Sequence, residues 1–141
     1  MKSLQEHLNE SLNEAVKPNM GVINDAIDLI KDLVKKSKAK EVDRVEGNCV
    51  YYEFTEGLFN DINIALSRKY KKATPDVHFD ESHPDYFTLD FTCGAYIEVS
   101  EYTPIDAPHD APQLRIGFYR RNRGDVNAKQ LRVDMFDRFI K

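Results

Sequence analysis

The stretch from residue 85 to residue 102, DYFTLDFTCGAYIEVSEY, decides the fold of this chain. It contains two runs of alternating apolar and polar side chains, which are separated only by Cys93 and Gly94. Alternation with a period of two is typical of strands that bury one face, and a two-residue connection with glycine is typical of a tight turn. The sequence therefore predicts an antiparallel hairpin with one apolar face and one polar face.

Two further strands are predicted outside this hairpin. One lies in CVYYEFT, which begins at Cys49, and the other lies in QLRIGFYRR, which begins at Gln113. Apolar residues at helical spacing predict helices over residues 3–16, after Gly21, over residues 57–70, and from an N-cap at Asn127 onward. Residues 71–84 contain two prolines and are predicted to form a loop. The order ααβαβββα predicts an α+β fold, in which a mainly antiparallel four-stranded sheet has its helices packed on one face.

The composition indicates one soluble globular domain. The chain has 141 residues, of which 41% are hydrophobic and 31% are charged, and its formal net charge is −4. A chain of this length buries enough surface for a proper core, and its negative charge argues against general affinity for nucleic acid. No run reaches the roughly 20 apolar residues of a membrane span, so we expect no membrane partner. We assign residues 1–17 to an N-terminal amphipathic segment and residues 19–141 to the single domain.

The two cysteines, Cys49 and Cys93, both lie in apolar strand-like runs, and neither belongs to a CxxC pair. The simple interpretation is two reduced core thiols in a cytoplasmic protein. The alternative is a disulfide between neighbouring strands. Cys93 with His78 or His109 would also supply a thiol nucleophile, although any chain with two cysteines and four histidines offers that combination.

Strand alternation sorts the side chains of the predicted sheet onto two faces. The phenylalanines of these strands fall on the core face, whereas five of the seven tyrosines fall on the opposite face. Tyrosine and arginine are enriched at the hot spots of protein interfaces, so this opposite face is a candidate partner-binding surface. Its members are Tyr51, Tyr86, Asp90, Tyr96, Glu98, Tyr102, Arg115, Tyr119 and Arg121. The alternative is a solvated sheet face on which charges pair across strands.

Charge is segregated in the second half of the chain. The span from Pro75 to Leu114 has no Lys or Arg and holds nine carboxylates, namely Asp76, Asp80, Glu81, Asp85, Asp90, Glu98, Glu101, Asp106 and Asp110. The next residues hold Arg115, Arg120, Arg121, Arg123, Lys129 and Arg132 against one acid, Asp125. Three interpretations stay open. The charges pair within the sheet, the acidic stretch occupies a basic site on another protein, or the arginines contact phosphates.

A metal site is one alternative function. His78, Asp80, His83 and Asp85 lie together in DVHFDESHPDY. Imidazole and carboxylate groups bind divalent metals, which makes these four residues weak candidates for metal ligands. Their spacing matches no established metal-site pattern, and prolines with acids are also typical of a surface loop.

A nuclease-like site is a second alternative. Asp90 and Glu98 lie on one face of the predicted hairpin, and paired carboxylates hold magnesium in metal-dependent nucleases. The lysine that accompanies such a pair is missing, because Ser100 stands two residues after Glu98. We therefore predict no catalytic residues and no cofactor. The open alternatives are a small metal-dependent enzyme, such as a nuclease, and a nucleic-acid-binding module that uses Arg115 to Arg132.

The first residues, MKSLQEHLNESLNEA, form a separate motif. Residues 1–11 resemble the capsid-targeting peptides of proteins packaged inside the heads of T-even-type tailed phages. Those peptides begin with Met-Lys, a hydroxyl residue, a bulky residue and Gln-Glu. They then contain an aliphatic residue, any residue, and Glu before a small residue. This chain matches with Met1, Lys2, Ser3, Leu4, Gln5 and Glu6, and again with Leu8, Asn9, Glu10 and Ser11.

The resemblance implies a processing site and a biological setting. In that family a prohead protease cuts after the glutamate, which corresponds here to Glu10, and Leu12 to Glu14 repeat the motif. The implied protein is phage-encoded, meets the prohead core and protease during assembly, and resides in the virion head before it enters the host cytoplasm. The implied function is non-catalytic binding that modulates or inhibits a host defence protein. A structural virion component is the alternative.

Overall fold

The computed structural model describes residues 18–72, 75–104, 111–121 and 128–141. The described helices are α1 (Met20–Ser37), α2 (Glu56–Tyr70) and α3 (Ala128–Ile140). The described strands are β1 (Glu41–Val45), β2 (Cys49–Glu53), β3 (Val77–Asp80), β4 (Tyr86–Phe91), β5 (Ala95–Tyr102) and β6 (Gln113–Arg120). The predicted α+β class is confirmed. The helix predicted over residues 3–16 lies outside the described residues.

The strands form one antiparallel sheet with the order β1-β2-β6-β5-β4-β3. The four predicted strands correspond to β2, β6, β5 and β4, which are adjacent in the centre of this sheet. The prediction of a four-stranded sheet is wrong, because β1 and β3 add a strand at each edge. Strand β1 lies in a segment for which the sequence predicts no element, and strand β3 lies within the predicted loop 71–84.

The predicted hairpin is present at β4 and β5, but three residues, Thr92 to Gly94, connect the strands where two were predicted. Leu89 lies opposite Ile97, and Asp90 lies opposite Tyr96. Gly94 makes the turn with a φ of 92°, a left-handed value that favours glycine, and its N–H donates to the Phe91 carbonyl at 2.9 Å. The alternation of this stretch therefore places one set of side chains inward and the other set outward.

Two of the described helices begin at side chains that cap them. Asn19 accepts a hydrogen bond from the Val22 N–H at 3.3 Å, and Thr55 accepts one from the Leu58 N–H at 3.3 Å. Such caps satisfy N–H groups that have no partner within the helix. Together they fix where α1 and α2 enter the layer that covers the sheet.

The core lies between the sheet and the three described helices. Buried residues of all three helices belong to one cluster with the inward residues of the central strands. Phe118 on β6 illustrates the packing, because its ring lies 5.5 Å from that of Phe139 and 6.4 Å from that of Phe136 on α3. Asp28 on α1 also accepts two hydrogen bonds from Arg138 on α3, at 2.7 and 3.0 Å. The described helices thus cover one face of the sheet, and we call the opposite face the outer face.

Candidate partner-binding face

The structure places all nine residues of the predicted binding surface on the outer face. The strand register arranges them in rows across the central strands. One row holds Tyr51, Arg115, Ser100 and Tyr86, the next holds Cys49, Gly117, Glu98 and Thr88, and a third holds Tyr119, Tyr96 and Asp90. Tyr102 lies two residues after Ser100 on β5, and Arg121 lies two residues after Tyr119, just beyond the end of β6. Strand parity alone was therefore sufficient to select the face.

Three residues form the first cluster, which we call the Arg121 cluster: Tyr96, Tyr119 and Arg121. The two tyrosine rings stack with centroids 5.1 Å apart and planes at 23°. The Arg121 guanidinium lies 4.7 Å from the centroid of Tyr96, and its Nη2 donates to Asp90 Oδ1 at 2.9 Å. The arginine side chain nevertheless stays 64% exposed. The cluster thus presents an oriented guanidinium to solvent on the ring of Tyr96, which itself stacks on Tyr119.

The second cluster, which we call the Arg115 cluster, contains Tyr51, Tyr102 and Arg115. The two rings lie 5.3 Å apart, and the guanidinium lies 5.0 Å from the centroid of Tyr102. Arg115 Nε donates to Ser100 Oγ at 3.3 Å, and Nη2 lies 3.5 Å from Glu98 Oε2. Its side chain is 28% exposed, less than half the value of Arg121. Arg115 is therefore held among several partners.

The electrostatics of the Arg115 cluster follow from this packing. Burial, together with the neighbouring Cys49 thiol, raises the pKa of Tyr51 to about 12. Burial by itself would lower the pKa of Arg115, but the neighbouring Tyr119, Tyr51 and Glu98 side chains outweigh it and raise that pKa. Tyr51 is consequently a neutral hydrogen-bonding group and Arg115 a cation near neutral pH.

Small residues form the floor between the two clusters. Cys49, Thr88 and Ser100 are buried there although no described helix covers them. Gly117 lies between Cys49 and Glu98, and a Cβ at this glycine would come within 2.7 Å of Tyr119 Cζ. The Tyr119 ring therefore occupies the space that a side chain at position 117 would fill. Burial raises the pKa of Tyr119, although the Arg115 charge opposes this shift.

The structure corrects the interpretation of the cysteines. Both thiols are free, which contradicts the disulfide alternative. Cys93 belongs to the core cluster, whereas Cys49 lies on the outer face with its Sγ 3.4 Å from the Tyr51 hydroxyl. Both thiols are buried as predicted, but Cys49 lies outside the core cluster. Cys49 and Tyr51 are two residues apart on β2, so their side chains share one face of the strand, and this spacing is the sequence signal for the position of Cys49.

The candidate metal ligands are spread over a strand and a loop. His78 lies opposite Asp90, and His83 stacks on Tyr86 with ring centroids 4.4 Å apart. Asp80 accepts a hydrogen bond from the Ser82 N–H at 3.0 Å, and the hydrogen bonds with Ser82 lower the pKa of this aspartate. Within the part of the chain that the structure describes, no group of three or more His, Cys, Asp or Glu residues is arranged to hold a metal ion.

The two carboxylates of the nuclease-like alternative each form an ion pair with an arginine. Asp90 pairs with Arg121, and Glu98 pairs with Arg115. A magnesium site needs carboxylate oxygens that converge on the ion, whereas these two carboxylates each face a guanidinium of the outer face. The arrangement suits a cross-strand ion-pair surface.

The remaining predicted residues lie outside the described residues. These are the cleavage motif at residues 8–10 and its repeat at residues 12–14, together with Asp106, His109, Asp110, Arg123, Asp125 and the predicted N-cap Asn127. Among the described helices, none is both long and apolar enough to cross a membrane. Comparison of the chain with protein-family models, curated proteins and solved structures finds no match.

Proposed function

We propose that this protein is a non-catalytic protein-binding domain and that the outer face of its sheet is the binding surface. The observation that supports this proposal is the pair of tyrosine–arginine clusters on a face that no described helix covers. Tyrosine and arginine bring large contact area together with polar groups, and they dominate the hot spots of protein interfaces. The two clusters place both residue types on one continuous surface.

The fixed positions of these side chains favour binding. Each ring of the two clusters contacts another ring, and each guanidinium rests on a tyrosine. Ordering a mobile side chain at an interface costs about 0.5–1.5 kcal/mol, and side chains that are already held avoid much of this cost. The side chains of the outer face are consequently held in place before a partner binds.

The charge of the outer face suits a protein partner better than a nucleic acid. Arg115 and Arg121 each have a carboxylate partner, and of the two arginines Arg121 alone stays mostly exposed. Affinity for nucleic acid draws on several cations that contact successive phosphates, which one exposed guanidinium does not supply. Ion pairs among tyrosines are instead typical of the mixed polar and aromatic character of protein interfaces.

For the biological setting, we propose a phage-encoded protein that is packaged in the virion head. The resemblance of residues 1–11 to capsid-targeting peptides supports this setting. Delivery with the phage genome would place the domain in the host cytoplasm early in infection, where it modulates or inhibits a host protein. Packaging requires contact with the prohead core and its protease, and the expected cut follows Glu10.

The binding function is tested with a double variant, Tyr96→Ala with Tyr119→Ala. Purified wild-type and variant chains are immobilised and exposed to bacterial lysate, and the captured proteins are quantified by mass spectrometry. We expect at least one protein that the wild type captures and the double variant loses. Ile64→Ala is the matched control, because Ile64 is an exposed apolar residue on α2. Equal capture by all three chains would contradict the assignment of the outer face.

The setting is tested by the intact mass of the protein isolated from its native source. We expect a mass that lacks residues 1–10 or 1–14, since processing follows Glu10 or Glu14 in the proposed route. A complete N-terminus in mature virions would remove the support for packaging and processing. The proposal for the outer face would be unaffected by that result, because it rests on the clusters alone.

A further inference from the structure

The two arginine clusters of the outer face differ in how much of the arginine side chain stays exposed to solvent. Arg115 contacts Ser100, Glu98 and the Tyr102 ring, and its side chain is 28% exposed. Arg121 rests on the Tyr96 ring and is 64% exposed. Among the residues that the structure describes, Asp90 is its one ion-pair partner. The Arg115 cluster is therefore occupied by its own molecule, whereas the Arg121 cluster is open.

We infer that the Arg121 cluster binds a carboxylate side chain on an acidic segment of the partner protein. This inference rests on the proposed function and names the partner chemistry for the same face. A guanidinium has five N–H donors in a planar fork, and the hydrogen bond to Asp90 uses one of them. The exposed remainder matches the two oxygens of a carboxylate, which arginine binds in a bidentate manner.

The position of Arg121 is fixed well enough for such recognition. Its backbone N–H donates to the Gly94 carbonyl at 2.9 Å, which ties the end of β6 to the hairpin turn. Asp90 and the Tyr96 ring then hold the guanidinium from two sides. Asp90 acts here as a positioning residue, because it orients the fork before a second carboxylate approaches.

The unequal exposure of the Arg121–Asp90 pair also favours an acidic partner. The Arg121 side chain is 64% exposed and that of Asp90 is 24% exposed, so the cation is the more accessible member of the pair. A carboxylate of the partner is attracted by this cation, whereas a basic segment is repelled. Tyr119 beside it offers an aromatic surface for an apolar neighbour of that carboxylate.

The inference is tested by selecting peptides from a random display library on the wild-type chain. Peptides that also bind the Tyr96→Ala, Tyr119→Ala variant are removed, so that only ligands of the outer face remain. We expect the remaining peptides to share an Asp or Glu beside an apolar or aromatic residue. Outer-face ligands that share no acidic residue would overturn the inference and leave the proposed function standing. If no ligand depends on the face, the proposed function itself fails.

A double-mutant cycle then assigns the contact to Arg121. One selected peptide is titrated against the wild type and Arg121→Gln, and its variant with the shared acid changed to the amide is titrated against both. We expect each single change to weaken binding by at least about tenfold and the two together to add little more. Arg68→Gln is the matched control, because Arg68 is an exposed arginine on α2. Independent, additive losses would overturn the assignment to Arg121.

Discussion

The two faces of the sheet are both packed, but they are packed by different interactions. On the inner face Phe118 and Ile116 are fully buried against helices, and apolar area removed from water provides the free energy. On the outer face Cys49 and Ser100 are almost as completely buried, yet tyrosine and arginine side chains cover them. The first kind of packing stabilises the fold. The second leaves stacked rings and guanidinium groups at the surface, where a partner can contact them.

The largest loss of stability is expected from Phe118→Ala on the inner face. Phe118 is fully buried and touches Phe136 and Phe139, so the change leaves a cavity that the neighbours cannot fill. We expect the free energy of unfolding to fall by about 3–5 kcal/mol, measured by urea denaturation. A loss below about 1 kcal/mol would mean that the inner face is not the principal source of stability.

A smaller effect is expected at Arg115 on the outer face. Arg115→Gln removes the cation that pairs with the half-buried Glu98 and donates to Ser100. We expect a loss of about 1–2 kcal/mol in the free energy of unfolding, because a charged group that is half-buried loses its partner. The matched variant is Arg121→Gln, whose side chain is mostly exposed, and we expect it to change stability by less than about 0.5 kcal/mol. Equal losses of stability in both variants would contradict the claim that Arg115 is held within its own molecule whereas Arg121 is not.

The ion pair of Asp28 and Arg138 contributes still less, and its contribution depends on pH. The hydrogen bonds from Arg138 lower the pKa of Asp28 below its usual value of 3.8. The pair therefore stabilises the fold above this value, and its contribution is lost as the pH falls through the lowered pKa of the folded state. Since both side chains are nearly half exposed, we expect Asp28→Asn to cost at most about 1 kcal/mol at pH 7. Urea denaturation at pH 7 and pH 3 checks this, and a difference between wild type and variant that grows on acidification would contradict it.

Central and edge strands differ in how well the sequence predicts them. The four central strands alternate apolar and polar residues because one face is buried, and this alternation is legible in the sequence. Strand β1 has the sequence EVDRV with all five residues exposed, so it carries no such pattern. Strand β3 does alternate, because Val77 is buried and Phe79 packs against the core, but its four residues are a short run within a segment that holds two prolines. Strand β1 forms because a neighbouring strand offers hydrogen bonds, and that information lies outside its own sequence.

In the candidate site, too, some features follow from the sequence of one strand and others from the pairing between strands. Parity along each strand placed the nine surface residues on one face. The contacts among them depend on the register between strands, which brings Tyr96 opposite Tyr119 and Gly117 between Cys49 and Glu98. The sequence of β6 alone does not show that Tyr119 lies across a glycine or that Arg121 reaches the ring of Tyr96. The face could therefore be predicted, whereas its two clusters could not.

The smallest expected change in stability comes from Gly117→Ala, which tests the outer face without removing any polar group. The added Cβ would occupy the space of the Tyr119 ring, so the ring must move and its stack with Tyr96 is lost. An alanine in a strand gains about 0.5–1 kcal/mol over glycine, and the lost stack costs about 0.5–1.5 kcal/mol. We therefore expect a net change near zero in the free energy of unfolding, measured by urea denaturation, together with weaker binding of any ligand of the outer face.

Gly57→Ala supplies the control for this variant. Gly57 lies in the first turn of α2, and a Cβ there meets no atom within 4 Å, so the change alters a glycine without moving a ring. We expect Gly57→Ala to bind outer-face ligands as the wild type does, and the ring-proton chemical shifts of Tyr96 and Tyr119 to change only in Gly117→Ala. If Gly117→Ala displaces the Tyr119 ring and binding stays intact, the stack is not part of the surface that a partner contacts. Fixed aromatic positions would then matter for covering the floor of the sheet and not for recognition.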